Sequence, residues 1–209
     1  MKYTHIVFDI DGTLTDSEYA VLVALQEMVK SWKGKDYAYD ELKFALGITG
    51  ADAMRQLGFA DEEIEPAMRD WEDGLRRRNA EVTVFEGVEA LICALEEMGC
   101  TLGVATSKTR GQFDKDFCRF DISRHFGVCV TADDTTEHKP KAGPLLKYME
   151  LTGAKPEEML YIGDSAYDSG TAHSAGVDFA LAVWGTNHME IPAQYRPEKP
   201  LDVLGVVRG

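Results

Sequence analysis

The densest chemistry in the chain lies in five residues near its start, Asp9-Ile10-Asp11-Gly12-Thr13. Two carboxylates two positions apart follow the apolar run Ile6-Val7-Phe8, and Gly12 is the residue type that a sharp backbone turn requires. No lysine or arginine stands beside them in the sequence, so the cluster calls for a cation. A calcium loop of the EF-hand type does not fit: the glycine falls at loop position 4 instead of 6, Thr13 occupies position 5, and position 12 is Ala20 where a glutamate is needed. Taken alone, these five residues would also suit a plain Asp-Gly turn leaving a strand.

A second segment repeats the design. Tyr161-Ile162-Gly163-Asp164-Ser165-Ala166-Tyr167-Asp168 is an apolar run, a glycine, and two acids four residues apart at the start of a helical stretch. If both apolar runs are strands of one parallel sheet, Asp9, Asp164 and Asp168 converge on one edge, where an all-oxygen donor set suits Mg2+. Helix capping by Asp164 and Ser165 is the competing use of these side chains. After Leu102-Gly103-Val104-Ala105 come Thr106-Ser107-Lys108, hydroxyls and strand-end amides suited to a phosphate oxygen, although Thr106 by itself would serve as a turn residue. His138-Lys139-Pro140 closes the loop after Val128-Cys129-Val130, and Pro140 biases Lys139 toward an extended backbone. A lysine fixed at that edge supplies the positive charge that a phosphate and a carboxylate cluster both need.

The elements that must position these groups are visible as periodicity. Short apolar runs at 5–8, 101–105, 127–130, 159–162 and 179–183 are too short for helices and are expected as strands buried on both faces. Val88, Leu91, Ile92 and Leu95 recur at helical spacing in 88–98, with Gly99 at the C-terminal stop, and 141–152 and 169–175 are further helices. Strand and helix in alternation imply an α/β fold, a doubly wound parallel sheet that binds ligands beyond the carboxyl ends of its strands. Residues 15–81 break the alternation. Val21, Leu22, Leu25, Met28, Val29 and Trp32 form one helical stripe, helical segments follow at 42–46, 51–57 and 64–78, and no strand is apparent. The chain is therefore expected to divide into a core of residues 1–14 and 82–209 and a helical cap of 15–81, inserted where it stands over the chemical edge of the sheet and can exclude water.

Composition restricts the partners. The 209 residues carry a formal net charge of −14, which disfavours nucleic acid and anionic membrane surfaces, while 44% hydrophobic and 10% aromatic content supports a packed core. The four cysteines form no C-x-x-C pair and lack zinc-site spacing with histidine. Cys93, Cys100 and Cys129 are expected as buried thiols. The chain has neither the apolar run of a signal peptide nor one long enough to span a membrane, so the expected setting is a reducing cytoplasm. Monomer and homodimer are equally compatible with the sequence.

Four motifs in this order resemble those of the haloacid dehalogenase superfamily, in the subfamily with a helical cap after the first motif. The resemblance implies a Rossmann-like core with an inserted cap and a phosphoryl-transfer site. It makes Asp9 the nucleophile that takes the phosphoryl group and Asp11 the acid that protonates the leaving group and later activates water. Thr106 would hold the phosphoryl group together with Gly12, Thr13 and Ser107, and Lys139 would steady both Asp9 and the phosphate. Mg2+ is the implied cofactor, with Asp9, the Asp11 carbonyl and Asp164 as ligands and Asp168 as a supporting acid of the same set. The requirements of phosphoryl transfer agree: an in-line nucleophile, neutralisation of the equatorial oxygens and an acid for the departing oxygen.

Within the superfamily, Asp11 argues against dehalogenases, and the runs DIDGTLTDS, VATSK, HKPKAGPLL and GDSAYDSGTAHSAGV are similar to phosphoglycolate phosphatase-like proteins. The chain departs from that pattern at Glu86-Gly87, Ser107 and Ala142, where the relatives often have Pro-Gly, Asn and Pro. The expected activity is hydrolysis of a small phosphate ester. The alternatives are a β-phosphoglucomutase-like phosphomutase, a pyrophosphatase, or a binding protein without catalysis. Mutases of that kind carry a histidine early in the cap and an arginine in the cap loop, and this chain has Val21 and Gly50 at those positions. The cap loop 47–52 is expected to face the substrate, with Arg55 as an anion contact.

Overall fold

The computed structural model describes residues 1–186 and 188–209. Strand β1 (His5–Phe8) leads through a tight turn into the two-residue β2 (Thr15–Asp16). Helix α1 (Glu18–Lys33), a 3-10 segment Tyr39–Ala45, α2 (Gly50–Gln56) and α3 (Asp61–Arg77) form the insert, and β3 (Thr83–Val84) ends it. The remainder alternates α4 (Val88–Glu97), β4 (Thr101–Ala105), the single turn α5 (Arg110–Gln112), β5 (Val128–Val130), α6 (Gly143–Thr152), β6 (Met159–Gly163), α7 (Ala166–Ala175), β7 (Asp178–Leu181) and α8 (Val203–Arg208).

Five strands form one parallel sheet in the order β5-β4-β1-β6-β7. Because side chains alternate along a strand, β1 feeds both faces: Ile6 and Phe8 pack beneath α4 and α8, whereas Val7 packs on the opposite face with Leu145 and Tyr148 of α6 and Ala172 of α7. Each of these fully buried large side chains contributes roughly 1.5–3 kcal/mol. The register sets the active edge. Phe8 lies opposite Val104 of β4 and Ile162 of β6, so the next residues of all three strands, Asp9, Ala105-Thr106 and Gly163-Asp164, emerge at one level.

The insert has its own apolar core. Leu22, Leu25, Met28 and Val29 of α1 meet Leu42, Ala53, Met54, Leu57 and Ile64 from the other segments. Trp32 continues the α1 stripe but is only half-buried, its ring 5.9 Å from that of Phe59. The structure corrects two expectations. Residues 15–81 do hold a strand, β2, which pairs antiparallel with β3 and ties the two necks of the insert together; two residues are too few to show a period. Only Cys100 is buried. Cys93 is exposed because it lies outside the α4 stripe of Val88, Leu91, Ile92 and Leu95, and Cys129 is intermediate. Among the described residues, no helix is long and apolar enough to cross a membrane.

Gly103 in β4 is a close-approach position. A Cβ there would lie 2.2 Å from the ring of Tyr148, which is fully buried and donates or accepts a hydrogen bond with His5 Nδ1 at 3.2 Å. Gly103→Ala is expected to lower stability by about 1–3 kcal/mol through overpacking. Urea unfolding measures this, and an unchanged midpoint would mean that α6 yields without cost.

Candidate active site

Asp9 leaves β1 buried at 4% exposure, with its backbone N–H donating to the Ile162 carbonyl at 2.9 Å. Lys139 reaches it from the loop after β5. Its Nζ lies 2.8 Å from Asp9 Oδ1 and 2.7 Å from Asp168 Oδ1, and all three side chains are almost wholly buried. Asp168 is held from every side. Tyr161 donates to its Oδ1 at 2.8 Å, while the Ser165 amide and hydroxyl donate to its Oδ2 at 3.1 and 2.5 Å. The last pair, with the Asp168 amide donating to Ser165 Oγ, is a capping box on α7. Asp168 therefore both caps a helix and anchors the lysine.

The turn after β1 is built around glycine. Gly12 has φ +76, and a Cβ there would lie 2.4 Å from Asp164 Oδ2, so conformation and space both demand glycine. Thr13 Oγ1 donates to Asp164 Oδ1 at 3.2 Å, and Trp184 Nε1 donates to the Thr13 carbonyl at 2.9 Å, fixing the turn against the loop after β7. One carboxylate oxygen from each of Asp9, Asp164 and Asp168 lies within 4.8 Å of the others. Burial raises the Asp9 carboxyl against the opposing pull of Lys139. Burial also lifts Asp164 well above the usual carboxylate range, with the Asp168 and Asp9 charges adding to it. For Lys139, burial works against the charge, but Asp168 and Asp9 outweigh it and hold the ammonium above its ordinary value. Three acids share one lysine, and this hard, oxygen-only surplus of negative charge fits a divalent cation such as Mg2+. Both oxygens of Asp168 are engaged by Lys139, Tyr161 and Ser165, which leaves Asp9 and Asp164 as the carboxylates free to hold it.

Asp11 faces a cavity between the sheet edge and the insert. The cation missing from its sequence neighbourhood comes from a distance: Lys108 Nζ lies 3.0 Å from Asp11 Oδ2 and 3.5 Å from Asp116 Oδ2. Ser17 Oγ donates to Asp11 Oδ1 at 2.7 Å. Burial opposes the charge of Lys108, yet Asp11 and Asp116 raise it above the ordinary lysine value, and burial also raises Asp116. Thr106 is buried, and its Oγ1 accepts from the Lys108 amide at 3.2 Å. Ser107 faces the same cavity, but its hydroxyl donates to the Gly47 carbonyl of the insert at 2.8 Å.

Thus Asp9, Asp11, Gly12, Thr13, Thr106, Ser107, Lys139, Asp164 and Asp168 come together at one edge. Arg55 does not: it is exposed on α2, paired with Asp52 at 3.0 Å and Asp61 at 3.7 Å, and lines no cavity at the sheet edge. The i,i+3 acid at Asp52 was the signal against it. Tyr161 and Lys108 are site residues that the motifs do not single out, although Tyr161 stands only two residues before Gly163 and Lys108 directly follows Thr106-Ser107. Glu72 of the insert and Gln112 of α5 carry no motif in the sequence, because only the packing of the insert against the core brings them to one cavity.

The chain belongs to the haloacid dehalogenase-like hydrolase family, whose profile matches residues 6–182. A Caldanaerobacter subterraneus subsp. tengcongensis protein named "Putative pyrophosphatase PpaX" is 29% identical over 214 residues, covering 100% of this chain and 96% of its own. Pyrophosphatase PpaX of Bacillus cereus is 26% identical over 98% of this chain and 94% of its own. Among solved structures, a Lactobacillus plantarum protein called a "putative phosphoglycolate phosphatase" is 32% identical, with a TM-score of 0.89 over 99% of this chain and 100% of that one.

Removing Lys139 would leave Asp9 and Asp168 buried without a cation. In metal-free buffer, Lys139→Ala is expected to cost about 3–5 kcal/mol of stability. Denaturant unfolding tests this; wild-type stability in the variant would show that the lysine is not what holds the carboxylates.

Proposed function

We propose that this hydrolase is a Mg2+-dependent phosphatase that cleaves a small phosphate monoester through a phosphoryl group carried on Asp9. The observation that carries the reading is the pairing of two carboxylates with separate partners: Asp9 held by Lys139, Asp11 held by Ser17 and Lys108. Residues 1–14 and 82–209 act as the catalytic core and 15–81 as its cap.

Bound at Asp9 and Asp164, with the Asp11 carbonyl as a further donor, Mg2+ would supply positive charge to the substrate's phosphoryl oxygens. Lys139 fixes the Asp9 carboxylate and offsets its repulsion from the phosphate. Thr106, Ser107 and the Gly12-Thr13 turn bound the phosphoryl oxygens. Asp9 attacks phosphorus, and Asp11 gives a proton to the departing alkoxide. Asp11 then takes a proton from the water that attacks the phosphoryl-aspartate, which releases inorganic phosphate and returns Asp9 to the carboxylate and Asp11 to the protonated acid. The insert shields the site from solvent, and contacts with the core that hold it there include Ser107 Oγ to the Gly47 carbonyl and Gln112 Nε2 to Glu72 Oε1 at 2.9 Å.

Hydrolysis is favoured over a mutase reaction because Val21 and Gly50 both line the cavity, so the positions at which the mutases carry histidine and arginine face the substrate here without either group. The names of the relatives at 29% and 26% identity favour pyrophosphate as a second reading of the substrate.

With an aryl phosphate and Mg2+, Asp9→Asn and metal chelation are each expected to abolish turnover. In the phosphoryl-transfer step, Asp11→Asn is expected to slow release of a simple alcohol by about 10²–10⁴-fold and release of a phenol much less, because a phenolate leaves without a proton. Single-turnover kinetics of alcohol and phenol release measures this apart from the later hydrolysis that both substrates share, and equal losses in that step would remove Asp11 from the acid role.

A further inference from the structure

The leaving group departs toward Asp11, so its binding site is the cavity that Asp11 lines. The groove on the other side of Asp164 is bounded by neither Asp9 nor Asp11, and it is therefore not where the alcohol part of the substrate lies. The walls of the Asp11 cavity are in large part apolar: Val21, Leu46, Ile48, Trp71 and Leu75, all from the insert. Among the polar groups are Glu72 of α3, Gln112 of α5 and Asp116.

The charge count of this cavity is unusual for an enzyme expected to hold a doubly anionic metabolite. Lys108 is the one lysine or arginine lining it among the described residues, and it is already shared between Asp11 and Asp116. Arg119, in the adjoining crevice, commits its guanidinium to the carbonyls of Asp116, Asn79 and Val82 at 3.0–3.1 Å. Glu72 accepts a hydrogen bond from Gln112 Nε2 and has no cationic partner among the described residues. A carboxylate or second phosphate on the leaving group would thus sit beside three acids with one shared lysine, partly screened from water by an apolar wall.

Resting on the phosphatase reading, we propose that the substrate is a monoester of a small, largely apolar alcohol that bears no second anionic group, with Glu72 accommodating an amine on that alcohol. Glu72 is a specificity determinant: it faces the leaving group and selects by charge, while Val21, Leu46, Ile48, Trp71 and Leu75 contact its carbon skeleton.

The test is a set of two-carbon and inorganic phosphates of matched size, compared by kcat/KM with Mg2+: 2-aminoethyl phosphate, ethyl phosphate, phosphoglycolate and pyrophosphate, with an aryl phosphate alongside. Phosphoglycolate and pyrophosphate are expected at least about tenfold below 2-aminoethyl phosphate, a like-charge penalty of about 1.4 kcal/mol. Glu72→Gln keeps the shape and the Gln112 contact, and it is expected to draw the ratio of 2-aminoethyl to ethyl phosphate toward one while raising phosphoglycolate relative to ethyl phosphate. Preference for phosphoglycolate or pyrophosphate in the wild type overturns the inference and leaves the phosphatase reading in place, as does a set of ratios that Glu72→Gln does not move. Failure to hydrolyse even the aryl phosphate removes the phosphatase reading itself, and this inference with it.

Discussion

Everything at the sheet edge depends on one ammonium group placed between buried carboxylates. Lys139 contacts Asp9 and Asp168 at 2.8 and 2.7 Å with almost no exposure, and Asp164 crowds the same point with no lysine partner among the described residues. A buried ion pair of this kind contributes little net stability, because desolvation offsets most of the attraction. What it provides here is position. Asp168, pinned by Tyr161 and the Ser165 capping box, fixes the lysine, and the lysine fixes Asp9. The remaining negative charge would be neutralised by a divalent cation, which would in turn present positive charge to a phosphate. The net charge of −14 is therefore compatible with phosphate chemistry, because the local arrangement, not the total, decides what can bind.

The scaffold explains why four distant segments meet. Central β1 is in register with β4 on one side and β6 on the other, so the first residues past each strand emerge together. The insert leaves from the turn that carries Asp11 and returns through the β2–β3 pair, which keeps its necks close and hangs α1 and α3 above that edge. Its polar contacts with the core include Ser107 with Gly47, Gln112 with Glu72, Arg119 with the Asn79 carbonyl and Ser17 with Asp11, while its apolar residues turn inward or to the cavity wall.

What the sequence disclosed follows a physical rule. Strands such as His5–Phe8 and Met159–Gly163 are buried on both faces and appear as continuous apolar runs, and the acids that follow them stand out against that background. Asp9, Asp164 and Lys139 were legible because each lies directly after a strand or is held by a neighbouring proline. Residues whose role depends on how the insert packs were not. Glu72 looks like any acid on the polar face of an amphipathic helix, and Arg55 like any cation; only the packing of α2 and α3 places one at the cavity and the other in solvent among its own acids. Cys93 fails in the same way, one position off a buried stripe.

The most direct measurement of this electrostatic account is thermal unfolding of the wild type and Asp164→Asn, with and without Mg2+. In the wild type, Mg2+ is predicted to raise the unfolding temperature, since it binds the folded state alone. Without metal, Asp164→Asn is predicted to unfold at a higher temperature than the wild type, because an uncompensated carboxylate has been removed, and to gain little from Mg2+. A metal-free variant less stable than the wild type, or an equal gain from Mg2+ in both, would contradict the claim that the crowded carboxylates at this edge are what call for the cation.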